Sequence, residues 1–246
     1  MMSLLEKGNR EETKAKKRAI VLLSGGLDST VTLAFALNEG YDVTALSFDY
    51  GQRHSIELEN GRKVAEFYHI PRKVFKIDLT QIGGSALTDS IDVPENRSLD
   101  EMENIPSTFV PSRNMIFLSI ASSYAYVNDI NDIFIGVNAI DYSGYPDCRP
   151  AFINSMKDAI EKALLRNIDV HAPLIHMSKA QIVKLGVELK APLELTHSCY
   201  EGRKKACGKC DSCQLRLAGF MQAGIPDPVE YEYYPPWYEK WLRQRS

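Results

Sequence analysis

Four of the chain's five cysteines, Cys199, Cys207, Cys210 and Cys213, crowd into one short stretch. Thiolates at this spacing, with Cys207-Gly208-Lys209-Cys210 as a CxxC turn, can surround one Zn²⁺ tetrahedrally. Four protein sulfurs leave no coordination position for water, so the zinc is expected to be structural. A nucleic-acid-binding zinc ribbon would show two CxxC pairs about 15 to 20 residues apart, which this stretch lacks. Cys148 stands alone and reads as a small buried apolar group.

A second set of residues could hold an anion. Ser24-Gly25-Gly26-Leu27-Asp28-Ser29 joins the apolar run Ala19-Ile20-Val21-Leu22-Leu23 to a segment of helical pattern. Backbone N–H groups in such a turn, and the positive end of the helix behind it, converge on one spot that suits phosphate. The Gly-Lys-[Ser/Thr] ending of a Walker A loop and the GxGxxG of a dinucleotide fold are both missing. Asp28, inside the cradle, would repel phosphate unless a cation such as Mg²⁺ lay between them, which implies a metal-bound nucleotide. Asp28 also suits the helix dipole, and Ser24 and Ser29 suit helix capping as well as they suit phosphate.

The elements that must position these groups follow from apolar pattern. The run at 19–23, stopped by Ser-Gly-Gly, fits a strand buried on both faces of a parallel sheet. Helix 28–38, strand 43–48, helix 56–68 and strand 74–77 come next, then helix 114–127, strand 133–137 and helices 152–165 and 179–189. Strands alternating with helical crossovers predict an α/β fold, a doubly wound parallel sheet. The polar stretch 79–112 far exceeds the usual connection of about 4 to 6 residues and reads as a lid or binding segment. Four parts are expected: an arm at 1–17, an α/β nucleotide-binding domain at 18–190, a zinc-binding segment at 191–231 packed on it, and an aromatic extension at 232–246. A chain of 246 residues, 44% hydrophobic, can bury one large core of this kind. Lys plus Arg number 29 against 32 for Asp plus Glu, so no basic field draws nucleic acid and a small ligand is the expected partner. No apolar run reaches the roughly 18 residues of a membrane span, and the charged first 17 residues do not read as a signal peptide, which points to the cytoplasm.

The 24–29 hexapeptide resembles the pyrophosphate loop of the N-type ATP pyrophosphatases, which split ATP between the α and β phosphates and pass AMP to a substrate oxygen. Several stretches resemble one family among them, the 7-cyano-7-deazaguanine synthases of queuosine biosynthesis: LLSGGLDST (22–30), SFDYGQRH (47–54), TFVPSRN (108–114), IGVNAIDYSGYPDCRP (135–150), THSCY (196–200) and ACGKCDSCQLR (206–216). Ser112 departs from the pattern, standing where that family often has a smaller residue such as glycine. The resemblance implies a Rossmann-like sheet of the adenine nucleotide alpha hydrolase type, with ATP, Mg²⁺ and Zn²⁺. It also implies conversion of 7-carboxy-7-deazaguanine and ammonia into the nitrile through two adenylations, and a nucleotide site lined by Leu23, Ser24, Gly25, Gly26, Leu27, Asp28, Ser29, Thr30, Val31, Thr32 and Leu33.

Further roles are assigned on that basis. Asp28, Ser29 and Arg113 are the catalytic candidates. Asp49 could reach the ribose or the adenine amine, and of Gln52, Arg53 and His54 the phosphate contact is assigned to Arg53. Substrate contacts are assigned to Arg113, Asp141, Tyr142, Tyr145, Asp147 and Arg149: the tyrosines stack on a purine-like ring, Asp147 accepts from its amidine-like edge, and Arg149 holds the carboxylate. The run Tyr231, Tyr233, Tyr234, Trp237, Tyr238 and Trp241 is too dense for a solvated tail and should pack on the body or on a second subunit, with a homodimer expected. A tRNA thiolase, which would need a sulfur-carrying cysteine and a basic face, an amide-forming synthetase, and a zinc-dependent binding module stay open as other readings.

Overall fold

A computed structural model describes residues 16–53, 56–97, 105–139 and 145–245. The expectations for the N-terminal arm up to residue 15, for His54, and for Asp141 and Tyr142 lie outside these residues.

Strand β1 (Arg18–Leu22) shows why its apolar run is continuous. Ala19 and Val21 enter one core while Ile20 and Leu22 enter another, so successive side chains serve opposite faces. Strand β2 (Asp42–Asp49) divides likewise, with Val43 and Ala45 on the first side and Leu46 and Phe48 on the second. The first face is covered by α1 (Leu27–Asn38) through Leu33 and Ala36, and by α2 (Ile56–Phe67) through Val64 and Ala65. The second is covered by α3 (Arg113–Val127) and α4 (Pro150–Leu164), which contribute Leu118, Ala121, Ile153 and Met156. Each fully buried Leu or Ile here contributes about 1.5–3 kcal/mol.

With β3 (Arg72–Lys76), β4 (Asp132–Phe134) and β5 (Asp169–His171), the sheet runs in the order β3-β2-β1-β4-β5, and every neighbouring pair is parallel. The winding reverses beside β1, between β2 and β4. In open parallel sheets, ligands bind at the carboxyl ends of the strands at such a switch point.

Helix α5 (Lys179–Glu188) starts in a capping box made by Ser178 and Gln181. Helix α6 (Asp211–Ala223) starts at Cys210 and is closed by Gly224 in the left-handed region. The four clustered cysteines share one core with Leu217, Tyr231 and Tyr238, and Tyr234 and Trp241 pack against it, so most of the aromatic run packs on the chain's own body, with Tyr233 and Trp237 exposed. Within it, α7 (Pro236–Arg243) buries Tyr238, whose hydroxyl accepts from the Asp227 N–H at 2.8 Å. Parts of the long 79–112 stretch are fastened to the cysteine segment: Glu95 bridges Cys210, the Asn96 N–H donates to the Lys209 carbonyl at 2.9 Å, and Arg97 pairs with Asp211 at 2.8 Å. Among the described residues no helix is long and apolar enough to cross a membrane.

Candidate active site

At the switch point lies a cavity of about 280 Å³ lined by Ser24, Gly26, Asp28 and Ser29 of the first βα turn, Arg113 and Phe117 of α3, and Ser212, Leu215 and Arg216 of α6. The turn is braced by its own hydroxyls. Gly25 N–H donates to Ser29 Oγ at 3.3 Å, Gly26 N–H to Ser24 Oγ at 3.2 Å, and the two hydroxyls meet at 3.0 Å. Gly25 has φ +95°, and a Cβ there would lie 2.4 Å from the Glu57 carbonyl, so the loop can lie against α2 only as glycine. Below it, a Cβ on Gly136 would come within 2.9 Å of the Asp28 and Ser29 backbone.

Asp28 does not face the cavity alone. Lys179 Nζ, on the first residue of α5, reaches its two oxygens at 2.9 and 2.8 Å. The lysine stem lies against α6, where a Cβ on Gly219 would stand 2.3 Å from Lys179 Cγ. The ammonium offsets the carboxylate beside amides that favour anions, so both signs of charge needed for a metal–phosphate group are present.

The other wall is aromatic and cationic. Arg113 lies 5.9 Å from the centre of the Tyr50 ring. Burial works against its charge, but Tyr50, Tyr145, Cys148 and Asp147 outweigh burial and push its pKa up, so it stays a cation. Tyr145 Oη meets Thr108 Oγ1 at 2.8 Å and Tyr200 Oη at 3.1 Å. Burial pushes both tyrosines above the usual phenol range, and it pushes the Cys148 thiol up to about 12. That thiol is neutral at working pH, as its reading as an apolar group requires. Ser112, the residue that departs from the family pattern, opens α3 with φ 59° and ψ 15°, a left-handed conformation that favours glycine.

Of the residues expected to hold ligands, Leu23, Ser24, Gly26, Leu27, Asp28, Ser29, Arg113 and Tyr145 line this cavity, and Gly25 shapes its loop. The structure places the rest of those described off the lining of this cavity. Val31 and Leu33 turn into the core, and the buried hydroxyls of Thr30 and Thr32 have no partner among the described residues, so the lining of the turn ends at Ser29. Asp49 and Arg53 lie off the cavity, where Tyr50 and Gln52 between them line it; Arg53 is exposed and tied through its N–H to the Leu87 carbonyl. Asp147 is buried, but its carboxylate accepts the Asn114 N–H at 3.1 Å and so caps α3. Arg149 is exposed at the start of α4. Lys179, Glu57 and Tyr200 line the cavity without having been assigned. Tyr200 stood in the THSCY motif and Lys179 followed a capping box, whereas nothing local marks Glu57.

The cysteine cluster passes a geometric test for zinc. Its four sulfurs lie within 4.8 Å of one another and all four residues are buried. Cys207 and Cys213 Sγ are 3.8 Å apart, and the edge of a tetrahedron with Zn–S bonds of 2.3 Å is also about 3.8 Å. Amides support the thiolates: Cys207 N–H donates to Cys199 Sγ, and Lys209 and Cys210 N–H donate to Cys207 Sγ, each at 3.3 Å. Hydrogen bonds from Cys207, Cys210 and Cys213 hold the Cys199 thiol well below its usual range.

A parallel sheet with an anion-binding turn at its switch point, joined to a four-thiolate knot, defines an ATP-binding α/β protein of the pyrophosphate-loop class. The family model described as "Queuosine biosynthesis protein QueC" matches residues 18–224. Proteins named 7-cyano-7-deazaguanine synthase are similar along nearly their whole length. The one from Picrophilus torridus is 58% identical over 93% of this chain and 97% of that one, and the one from Thermoplasma volcanium is 55% identical over 91% and 95%. The one from Thermoplasma acidophilum is 53% identical over 94% and 99%. The chain belongs to the QueC family.

Proposed function

We propose that this protein is a 7-cyano-7-deazaguanine synthase, an ATP-dependent ligase that converts 7-carboxy-7-deazaguanine and ammonia into the nitrile. The observation that carries the reading is the Asp28–Lys179 pair on the 24–29 turn, in one cavity with Arg113, Tyr145 and Tyr200. A carboxylate oxygen is a poor leaving group, so the acid attacks the α phosphate of ATP and expels pyrophosphate. Ammonia displaces AMP to give the amide. The amide oxygen attacks a second ATP, and loss of AMP and the N–H protons leaves the nitrile.

The chain's own part is positioning and charge. Amides of the turn, with the Ser24 and Ser29 hydroxyls, receive the departing pyrophosphate. Mg²⁺, when bound, supplies charge neutralisation at the phosphates. Asp28 would hold it, and Lys179 balances Asp28 before nucleotide arrives and can turn to a phosphate oxygen afterwards. Arg113, kept cationic, is suited to the substrate carboxylate, and the rings of Tyr145 and Tyr200 suit a planar heterocycle. Zn²⁺ on the four cysteines is structural. We place the reaction in the cytoplasm, in a homodimer, with no nucleic-acid partner.

Purified protein given ATP, an ammonium salt and 7-carboxy-7-deazaguanine should yield the nitrile mass, with two pyrophosphates released per nitrile. Absence of any deazapurine-dependent pyrophosphate release overturns the reading.

A further inference from the structure

Glu57, in the first turn of α2, faces the cavity half-buried, and its carboxylate takes no hydrogen bond and no ion pair from any described residue. Three other withdrawn carboxylates among the described residues have partners. Asp28 has Lys179, Asp147 has the Asn114 N–H, and Asp227 has Arg216, Tyr231 and the Val229 N–H. Taking a carboxylate from water without donors is costly, and burial accordingly pushes the Glu57 pKa up. A cavity-facing acceptor left unpaired by the protein is met by water when no ligand is bound and is free to take donors from a ligand that displaces it.

The nature of those donors can be narrowed. Phosphate oxygens are excluded by sign. Glu57 lines the same cavity as Arg113, Tyr145 and Tyr200, while its backbone carbonyl lies against Gly25, so it stands where the phosphate turn meets the Arg113 wall. In the reaction proposed above, the group bound at that wall is the deazapurine. One edge of that ring carries a ring N–H beside an exocyclic amino group, two parallel donors at the separation of two carboxylate oxygens. Resting on that functional reading, we propose that Glu57 determines substrate specificity by accepting both hydrogen bonds from the amino-pyrimidinone edge of the deazaguanine.

The test is discrimination between 7-carboxy-7-deazaguanine and its analogue lacking the 2-amino group, measured by calorimetry on the full chain with Mg²⁺ and a non-hydrolysable ATP analogue. Wild type should prefer the amino compound by roughly 10- to 100-fold, the range of a charge-assisted hydrogen bond. Glu57→Gln, which keeps shape, and Glu57→Ala should reduce the preference to within about threefold, with zinc content and affinity for the ATP analogue unchanged. Variants that keep the wild-type preference overturn the proposal, as does a loss confined to the ATP analogue, which would put Glu57 on the ribose. Wild type that binds neither deazapurine sinks the functional reading as well; wild-type nitrile formation with an unchanged preference in the variants sinks this inference alone.

Discussion

Asp28 meets two demands at once, since it must sit among anion-binding amides and still be a carboxylate. Lys179 resolves the conflict in this structure through its two contacts of 2.9 and 2.8 Å. Asp28→Asn removes the group assigned to the metal and should lower deazapurine-dependent pyrophosphate release by roughly 100-fold or more, with zinc retained and the fold kept. Wild-type turnover in that variant removes Asp28 from the mechanism. Ser112 is a case of backbone strain at single-residue resolution. A left-handed conformation costs a side-chain-bearing residue about 1–2 kcal/mol, partly offset by the chain entropy that glycine loses on folding. Ser112→Gly should therefore stabilise the protein by about 0.5–1 kcal/mol in urea denaturation, and a destabilised variant would show that the hydroxyl matters more than the strain. At this scale the 24–29 turn and the four cysteines were legible because their chemistry is local in the chain. Glu57 was not, because it joins the site only through a tertiary placement that no neighbouring residue signals, and Tyr200 and Lys179 stood in a motif and beside a helix cap that do not by themselves name a role. The Asp147 carboxylate is likewise held from far along the chain, by the N–H of Asn114, 33 residues away.

Helices and strands divide along a similar line. Strands β1 and β2 and helices α1 and α2 carry runs or periods long enough to read, and the structure places them within a residue or two of the expected bounds. Strand β5 is three residues, Asp-Val-His, and only its pairing with β4 makes it a strand. Helix α6 was hidden because the ACGKCDSCQLR stretch drew attention as a metal motif, although Cys210 begins the helix and Gly224 ends it. This helix links the knot to the phosphate turn: Gly219 seats the Lys179 stem, and Arg216 donates to Thr196 Oγ1 at 2.7 Å beside His197, whose N–H holds the Gly25 carbonyl at 2.9 Å. Cys210→Ser should therefore lose zinc first, lower the thermal midpoint, and only then weaken turnover through a misplaced α6. Full metal content by atomic absorption in that variant contradicts the four-cysteine ligation.

For the molecule as a whole, strand order decides where the chemistry sits. The sequence implied a doubly wound sheet, and the order β3-β2-β1-β4-β5 puts the reversal of winding beside the one strand that feeds the phosphate turn. Much of the C-terminal aromatic run, expected on the body or on a partner, shares the core of the cysteine knot, so α7 packs on the same cluster as Tyr200 of the cavity wall. The account turns on where ATP is cut. Phosphorus NMR of a turnover mixture containing 7-carboxy-7-deazaguanine and ammonium should show AMP and pyrophosphate in equal amounts, and neither without the deazapurine. Formation of ADP and inorganic phosphate instead would contradict it.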